Sequence, residues 1–432
     1  MKRRAPVDIP DNAPATAPAA RLHLPVHDAK GALLEAVKST PTLVLTGETG
    51  CGKTTQIPQF LLEAGYATHG LIGITQPRRV AAMSVARRVA AEIGEDVGQK
   101  VGYCVRFEDC TSEATRLRYL TDGMLLREAT ASPLLKRYSV IIVDEAHERS
   151  LQTDMMLALL RRAQRERTRG QGKGKGGKGC RGSHRPLKLL VMSATLDTAT
   201  FCGYFGGAPA VQILGRTFPV SIYYAPTPQA DYLEAAVTAV LQVHQEEGAG
   251  DILCFLTGQE DIDVVATAVK RRVAFQQVDA SAADGGDGGG GGDGGGVAGR
   301  RQATLLVLPL YAALPPALQL KALRPAPAGT RKVILATNIA ETSLTIDGVV
   351  YVIDAGLAKV RMYHAGKRID SLLACPISRA QARQRAGRAG RVQAGKCFRL
   401  YTEDCFSSDL QERSVPEIQR TSLAAAILAL KV

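Results

Sequence analysis

No stretch of this 432-residue chain stays apolar for the roughly 18 residues that a membrane-spanning helix needs, so no helical span and no membrane partner are expected. The nine cysteines form no Cys-x-x-Cys pair and no other metal-ligand spacing, which argues against a structural zinc site. Met1, Lys2, Arg3 and Arg4 are not followed by the apolar segment of a secretion signal, so secretion is not expected either. Residues 1–21 are rich in Ala and Pro and read as a flexible tail; Asp8 and Asp11 count against a transit peptide. What remains, 45% hydrophobic and 22% charged residues, fits a soluble globular protein long enough for two compact units.

The net charge of +13 invites a nucleic-acid partner, but it is unevenly placed. Between Arg161 and Lys188 stand eleven Lys or Arg against one Glu, a local +10. The glycine-rich core of that segment, GQGKGKGGKGCRGSHR, cannot support a packed element, so an insertion over about 168–186 is expected. It reads as a solvated loop, with sequence-blind phosphate contacts as the functional alternative. Asp284 to Gly299 is almost entirely Gly and Asp, within a second insertion over about 279–300, and carries no partner chemistry.

Between the insertions, short β-rich apolar runs alternate with longer helical patterns, the signature of α/β units with parallel sheets covered by helices. Thr42 to Thr46, Leu71 to Thr75, Val140 to Val143 and Leu189 to Met192 read as buried strands of a first domain over 22–215. Asp251 to Leu256, Val333 to Ala336 and Val349 to Ile353 repeat the theme in a second domain over 216–400, joined near Gly215 to Pro219. A linker and the start of a further domain are expected over 401–432.

Gly47, Glu48, Thr49, Gly50, Cys51, Gly52, Lys53 and Thr54 match the pattern G-x-x-x-x-G-K-[ST], and Thr55 continues it into a helical stretch that runs to Ala64. A preceding strand and a following helix turn this pattern into a P-loop. Its glycines let backbone N–H groups curl around phosphates, Lys53 brings a cation to them, and the Thr54 hydroxyl suits a Mg²⁺ ion. The strand YSVIIV ends in Asp144 and Glu145, where open α/β sheets bind ligands. Alone, an acidic pair at a strand end is usually a turn. After a sound P-loop, Asp144 suits the metal shell together with Thr54 and Glu145, and Glu145 suits polarisation of an attacking water.

The ordered set GETGCGKTTQIPQ, TQPRRVAAMSVARRVA, TDGMLL, DEAH, SAT, TGQEDI, TNIAETSLTIDG and QRAGRAGR resembles the DEAH-box RNA helicases of superfamily two from about Leu24 to Val432, apart from the insertions. The resemblance implies two tandem RecA-like domains that hydrolyse ATP, or other NTPs, with Mg²⁺ between them. It further implies 3′ to 5′ movement on single-stranded RNA, or on structured RNA with a single-stranded 3′ end. Gln384, Arg388 and Arg391, spaced i, i+4 and i+7, would share one helix face, the arginines acting as fingers on the γ-phosphoryl group while Gln384 orients water. Ser193 and Thr195, with His147, match positions that couple hydrolysis to domain movement; Arg78, Thr121, Thr337, Asn338 and Thr342 match contacts to the RNA backbone. Thr345 and Asp347 match the ribose-contacting end. Ribonucleoprotein partners, an activating protein, a monomeric state, roles such as ribosome biogenesis, and a nuclear or nucleolar location with cytoplasm as the alternative are expectations of the same kind.

Three departures accompany the resemblance. The family stacks the nucleotide base between an Arg, matched by Arg88, and a Phe, replaced by Leu323, which predicts weaker nucleotide binding. Cys51 stands where Ser is common. The family continues into a winged helix, a helical bundle and an OB-fold, whereas SVPEIQRTSLAAAILALKV looks like the first helix of a winged domain cut short. A non-enzymatic RNA-binding scaffold, a truncated ATPase without unwinding, and a DNA-directed motor stand as rival readings.

Overall fold

The computed structural model describes residues 24–48, 50–171, 185–193, 198–215, 218–283, 303–341, 346–391 and 393–431. Each apolar run of the first half becomes a strand of one eight-stranded sheet. Its strands are β1 (Thr42–Gly47), β2 (Leu71–Gln76), β3 (Val101–Val105), β4 (Glu108–Cys110), β5 (Leu117–Thr121), β6 (Tyr138–Val143), β7 (Lys188–Ser193) and β8 (Ala210–Ile213). They lie in the order β4-β3-β5-β2-β6-β7-β1-β8, and only β4 runs antiparallel to its neighbour. Alternate side chains feed opposite cores: Leu43 and Leu45 with Ile72 and Ile74 on one face, Val44 with Ile141 and Val143 on the other. Helices Lys53–Glu63, Arg79–Ile93, Asp122–Ala131 and Leu151–Gln171 accompany this sheet. A sheet covered on both faces needs strands that are apolar throughout, which is why these runs lack polar alternation.

The second half repeats the design. Strands β9 (Val220–Tyr224), β10 (Asp251–Phe255), β11 (Thr304–Leu310), β12 (Thr330–Ala336) and β13 (Val349–Asp354) pair with a last strand, Gly395–Arg399. Between β13 and that strand, β14 (Leu357–His364) and β15 (Ile369–Pro376) form an antiparallel hairpin, so Gly395–Arg399 becomes β16. The six-stranded order is β11-β12-β10-β13-β16-β9, parallel throughout. Since β8 closes the first sheet at Ile213 and β9 opens in the second at Val220, the chain changes sheets between them. These are the two RecA-like α/β units expected. Among the described residues no helix is long and apolar enough to cross a membrane.

Two local expectations are corrected. The helix carrying Gln384 spans only Arg379–Ala386, so Arg388 and Arg391 lie in the turn after it and share no helix face with Gln384. Glycines at 387 and 390 weaken the helix there, and Gly390 packs so closely that an added Cβ would lie 2.5 Å from the Phe218 carbonyl oxygen. The segment from Ser414 forms two short helices, Glu417–Arg420 and Ala424–Lys431, because Thr421 takes an extended backbone between them.

Candidate active site

The C-terminal ends of parallel strands deliver the first half of the site. From β1 the chain turns through the glycines into helix Lys53–Glu63, with Gly50 at φ 90° and Gly52, the residue before the helix, at φ 93°, conformations that a side chain disfavours. The Lys53 ammonium donates to the carbonyls of Gly47 (2.5 Å) and Glu48 (2.7 Å) and lies 3.5 Å from the buried Cys51 thiol. Thr55 donates to the Gly52 carbonyl.

Asp144 is buried where β6 ends, and its carboxylate gathers three donors. The Thr54 hydroxyl and the Gln76 amide each donate to Oδ2 at 2.6 Å, and the Glu145 N–H donates to Oδ1 at 2.9 Å. Burial and the neighbouring Glu145 push the Asp144 carboxyl up to about 6, against the pull of Thr54 and Lys53. Thr54 and Asp144 thus meet as two oxygen donors suited to a hard divalent cation. Glu145 sits in the left-handed region at φ 53°, an uncommon backbone for a non-glycine residue and of the kind that concentrates at active sites. Burial and the charge of Glu148 raise its carboxyl, while Lys53, Arg388 and Arg78 oppose the shift. His147 Nδ1 lies 3.5 Å from Glu145 Oε2, and burial lowers its imidazole.

The opposing domain presents cations to this acid. Burial and Arg391 lower the Arg388 guanidinium, with Glu145 and Glu341 opposing. Burial brings Arg391 down to about 10, with the charges of Glu145 and Asp347 opposing. Arg388 also donates to the Glu341 carbonyl. Behind it, the fully buried Arg385 pairs with Asp354 (2.8 Å) and Glu341 (3.2 Å) and lies over the Phe255 ring. A cleft of ≈1090 Å³ runs between the domains, lined by Arg78, His147, Glu148, Asn338, Glu341 and Gln384 among others.

The remaining expected residues are spread around this cleft. Arg78 precedes helix Arg79–Ile93 and pairs with Glu148 at 3.3 Å, so it faces the acids of the site. Thr121 and Thr337 stand just where β5 and β12 end, each before a helical turn. Ser193 is buried at the end of β7, opposite Thr46 of β1. Arg88 pairs with Glu92 at 3.1 Å, and Leu323 is half-buried against the second domain's core. Thr49, Thr195, Thr342 and Thr345 lie outside the described residues, as do most of the two glycine-rich insertions.

Sequence reasoning missed Gln76, Glu92, Glu148, Glu341 and Arg385. All five fall inside or beside the quoted motifs, but their roles are contacts to other motif residues, which spacing along the chain does not reveal.

Comparison with known proteins agrees with this architecture. A model described as the helicase conserved C-terminal domain matches residues 298–393, and an AAA domain model matches residues 37–172. The crystal structure of the Escherichia coli DEAH/RHA helicase HrpB is similar at 35% identity and a TM-score of 0.77, over 94% of this chain and 46% of that one. The chain therefore spans about half the length of that relative.

Proposed function

Because this chain carries the two RecA-like domains of a DEAH-box helicase of superfamily two, we propose that it is an RNA-stimulated, ATP-dependent motor that hydrolyses the nucleotide between its domains and moves 3′ to 5′ on single-stranded RNA. The observation that carries the proposal is the facing of Lys53, Thr54, Asp144 and Glu145 from one domain with Arg388 and Arg391 from the other, close enough for the Glu145 charge to act on both guanidiniums. A protein that only bound RNA would have no physical need for that set.

In the proposed reaction the P-loop backbone and Lys53 bind the phosphates, Glu145 takes a proton from water as it attacks the terminal phosphorus, and the bond from that phosphorus to the β–γ bridging oxygen breaks, so that ADP leaves with that oxygen and inorganic phosphate is formed. Arg388 and Arg391 offset the negative charge that builds on the transferred group, and Gln384 helps to place the water. Thr54 and Asp144 would hold Mg²⁺, which adds further charge neutralisation when bound; their convergence at 2.6 Å fits that role. Arg78, Thr121, Thr337 and Asn338 would contact the RNA backbone, which positions a strand without reading its sequence.

The test is steady-state ATP hydrolysis by this chain with single-stranded RNA, with DNA of the same length and with neither, using Glu145→Gln as the blank. RNA stimulation that vanishes in the variant is expected. Equal stimulation by DNA would favour a DNA-directed motor, and no hydrolysis above the blank would favour a scaffold.

A further inference from the structure

The edge of the first sheet opposite the candidate active site holds a second concentration of cations. Strands β2, β5 and β6 are parallel, so their first residues lie at the edge away from Gln76 and Asp144. There a pocket of ≈410 Å³ is lined by Thr68, Thr111, Ser112, Arg116, Arg118 and Arg137 among others. Three of its lining residues are cations, against one acid, Glu113.

The guanidiniums are only partly satisfied by protein acceptors. Arg118 is 4% exposed; its Nη1 serves Glu128 (2.5 Å) and the Tyr138 hydroxyl (2.7 Å), and its Nη2 lies 3.6 Å from Asp109. Its Nε is enclosed and meets no acceptor among the described residues, although a buried donor without an acceptor is costly. Arg116, at the exposed rim, donates to the backbone carbonyls of Glu113 and Thr115 at 2.9 Å. Arg137, also exposed, comes no closer than 3.9 Å to Glu128, a carboxylate already engaged by Arg118. Arginine forks beside hydroxyl groups are the chemistry that binds phosphate oxygens.

Topology brings Arg167 and Lys188 to the same edge. Helix Leu151–Gln171 runs back to it, since Arg167 donates to the carbonyls of Leu134 and Tyr138 just before and at the start of β6. The chain re-enters the sheet there at Lys188 of β7, beside β6. The two described ends of the most basic segment in the sequence therefore flank this edge.

We infer that this pocket is a phosphodiester subsite through which a nucleic-acid strand is held at a second place, remote from the interdomain cleft. The inference rests on the proposed RNA-motor function. Arg116 and Arg137 grip phosphate oxygens from the rim, while Arg118 holds the Glu128 carboxylate beneath them and keeps its Nε–H without a protein acceptor among the described residues.

The test compares the parent chain with Arg116→Gln/Arg137→Gln and with Arg116→Glu/Arg137→Glu, leaving Arg118 in place because it anchors Glu128 and Tyr138. Binding of labelled single-stranded RNA and DNA of equal length is measured by anisotropy across salt concentrations, with ATP hydrolysis without RNA and the thermal midpoint as controls. With both controls unchanged, the expected result is a roughly tenfold loss of affinity at low salt. The slope of log affinity against log salt should flatten by about 1.4, near 0.7 per lost contact, with the Glu pair losing more. Parental affinity and slope for both strands would overturn the subsite while leaving the motor reading intact. A parent chain that binds neither strand would overturn both.

Discussion

Asp122 shows how a single buried carboxyl ties the first domain to pH. It is 1% exposed, accepts from the Thr153 hydroxyl, and is pushed up to about 6, chiefly by burial, with Glu148 and Asp144 adding to the rise and Thr153 opposing it. The unfolded chain releases this proton near the ordinary value of 3.8, so between that value and about 6 the folded state holds the extra proton. Stability from this group is therefore fully present below the lower value and is lost as pH rises through about 6. Asp122→Asn is expected to raise the unfolding free energy at pH 8 by on the order of 1–3 kcal/mol, with the gain shrinking toward pH 4. Denaturant melts at the two pH values check this; an equal gain at both would refute the assignment. Leu323 is the second residue of interest. Its side chain packs on the core of the second domain, where an aliphatic group can cover a base but cannot stack on it. Leu323→Phe is expected to lower the ATP dissociation constant by about two- to tenfold, the worth of an aromatic pair, in a titration with a fluorescent nucleotide. Unchanged affinity would mean that Leu323 does not face the base.

At the scale of elements, the arginine-bearing turn depends on the helix before it. Arg385 ends that helix in a fully buried position, with Asp354 from the end of β13 and Glu341 from the turn after β12 as its counter-charges. Arg388 then reaches the Glu341 carbonyl, so one acid residue steadies both the helix end and the turn that follows it. Arg385→Ala would leave two buried carboxylates without their cation, and a loss of about 3–5 kcal/mol in urea unfolding is expected. A loss under about 1 kcal/mol would mean that the pair is solvated. This arrangement was not legible in QRAGRAGR, whose regular spacing implies a continuous helix. Its glycines end the helix at Ala386, and Arg388 and Arg391 project from a turn instead. Strands β14 and β15 were missed for a related reason: their hairpin is mostly half-buried or exposed and never forms a long apolar run. The buried parallel strands β1, β2, β6, β7, β10, β12 and β13 were found because burial on both faces writes itself into the sequence as runs rich in Val, Ile and Leu, whereas the equally buried β3, VGYCV, was missed because Gly and Cys interrupt its run.

Across the whole molecule, the described ends of the most basic segment stand apart from the candidate active site. The candidate active site lies at the C-terminal ends of the strands, whereas Arg167 and Lys188, near the two described ends of that segment, lie at the opposite edge. Deleting residues 172–184 is expected to flatten the salt dependence of RNA binding without changing ATP hydrolysis in the absence of RNA, as anisotropy and a coupled hydrolysis assay would show. An unchanged slope would leave that segment as a neutral loop. The domains are also bridged near their C-terminal side: the Glu417 carboxylate accepts from the Leu151 N–H at 2.9 Å, its own N–H donates to the Arg149 carbonyl at 3.1 Å, and Arg420 reaches Arg361 of the hairpin. Motif order and residue type were sufficient to identify two nucleotide-binding α/β units, the P-loop and the acidic pair, because a phosphate cradle and a buried strand each demand particular residues in consecutive order. The partners of Asp144, the facing of Arg388 and Arg391 toward Glu145, the burial of Arg385 and the arginine pocket at the far edge emerged only on folding. Each of those depends on side chains distant in the chain meeting at set distances, and charge and burial act through space rather than along the backbone.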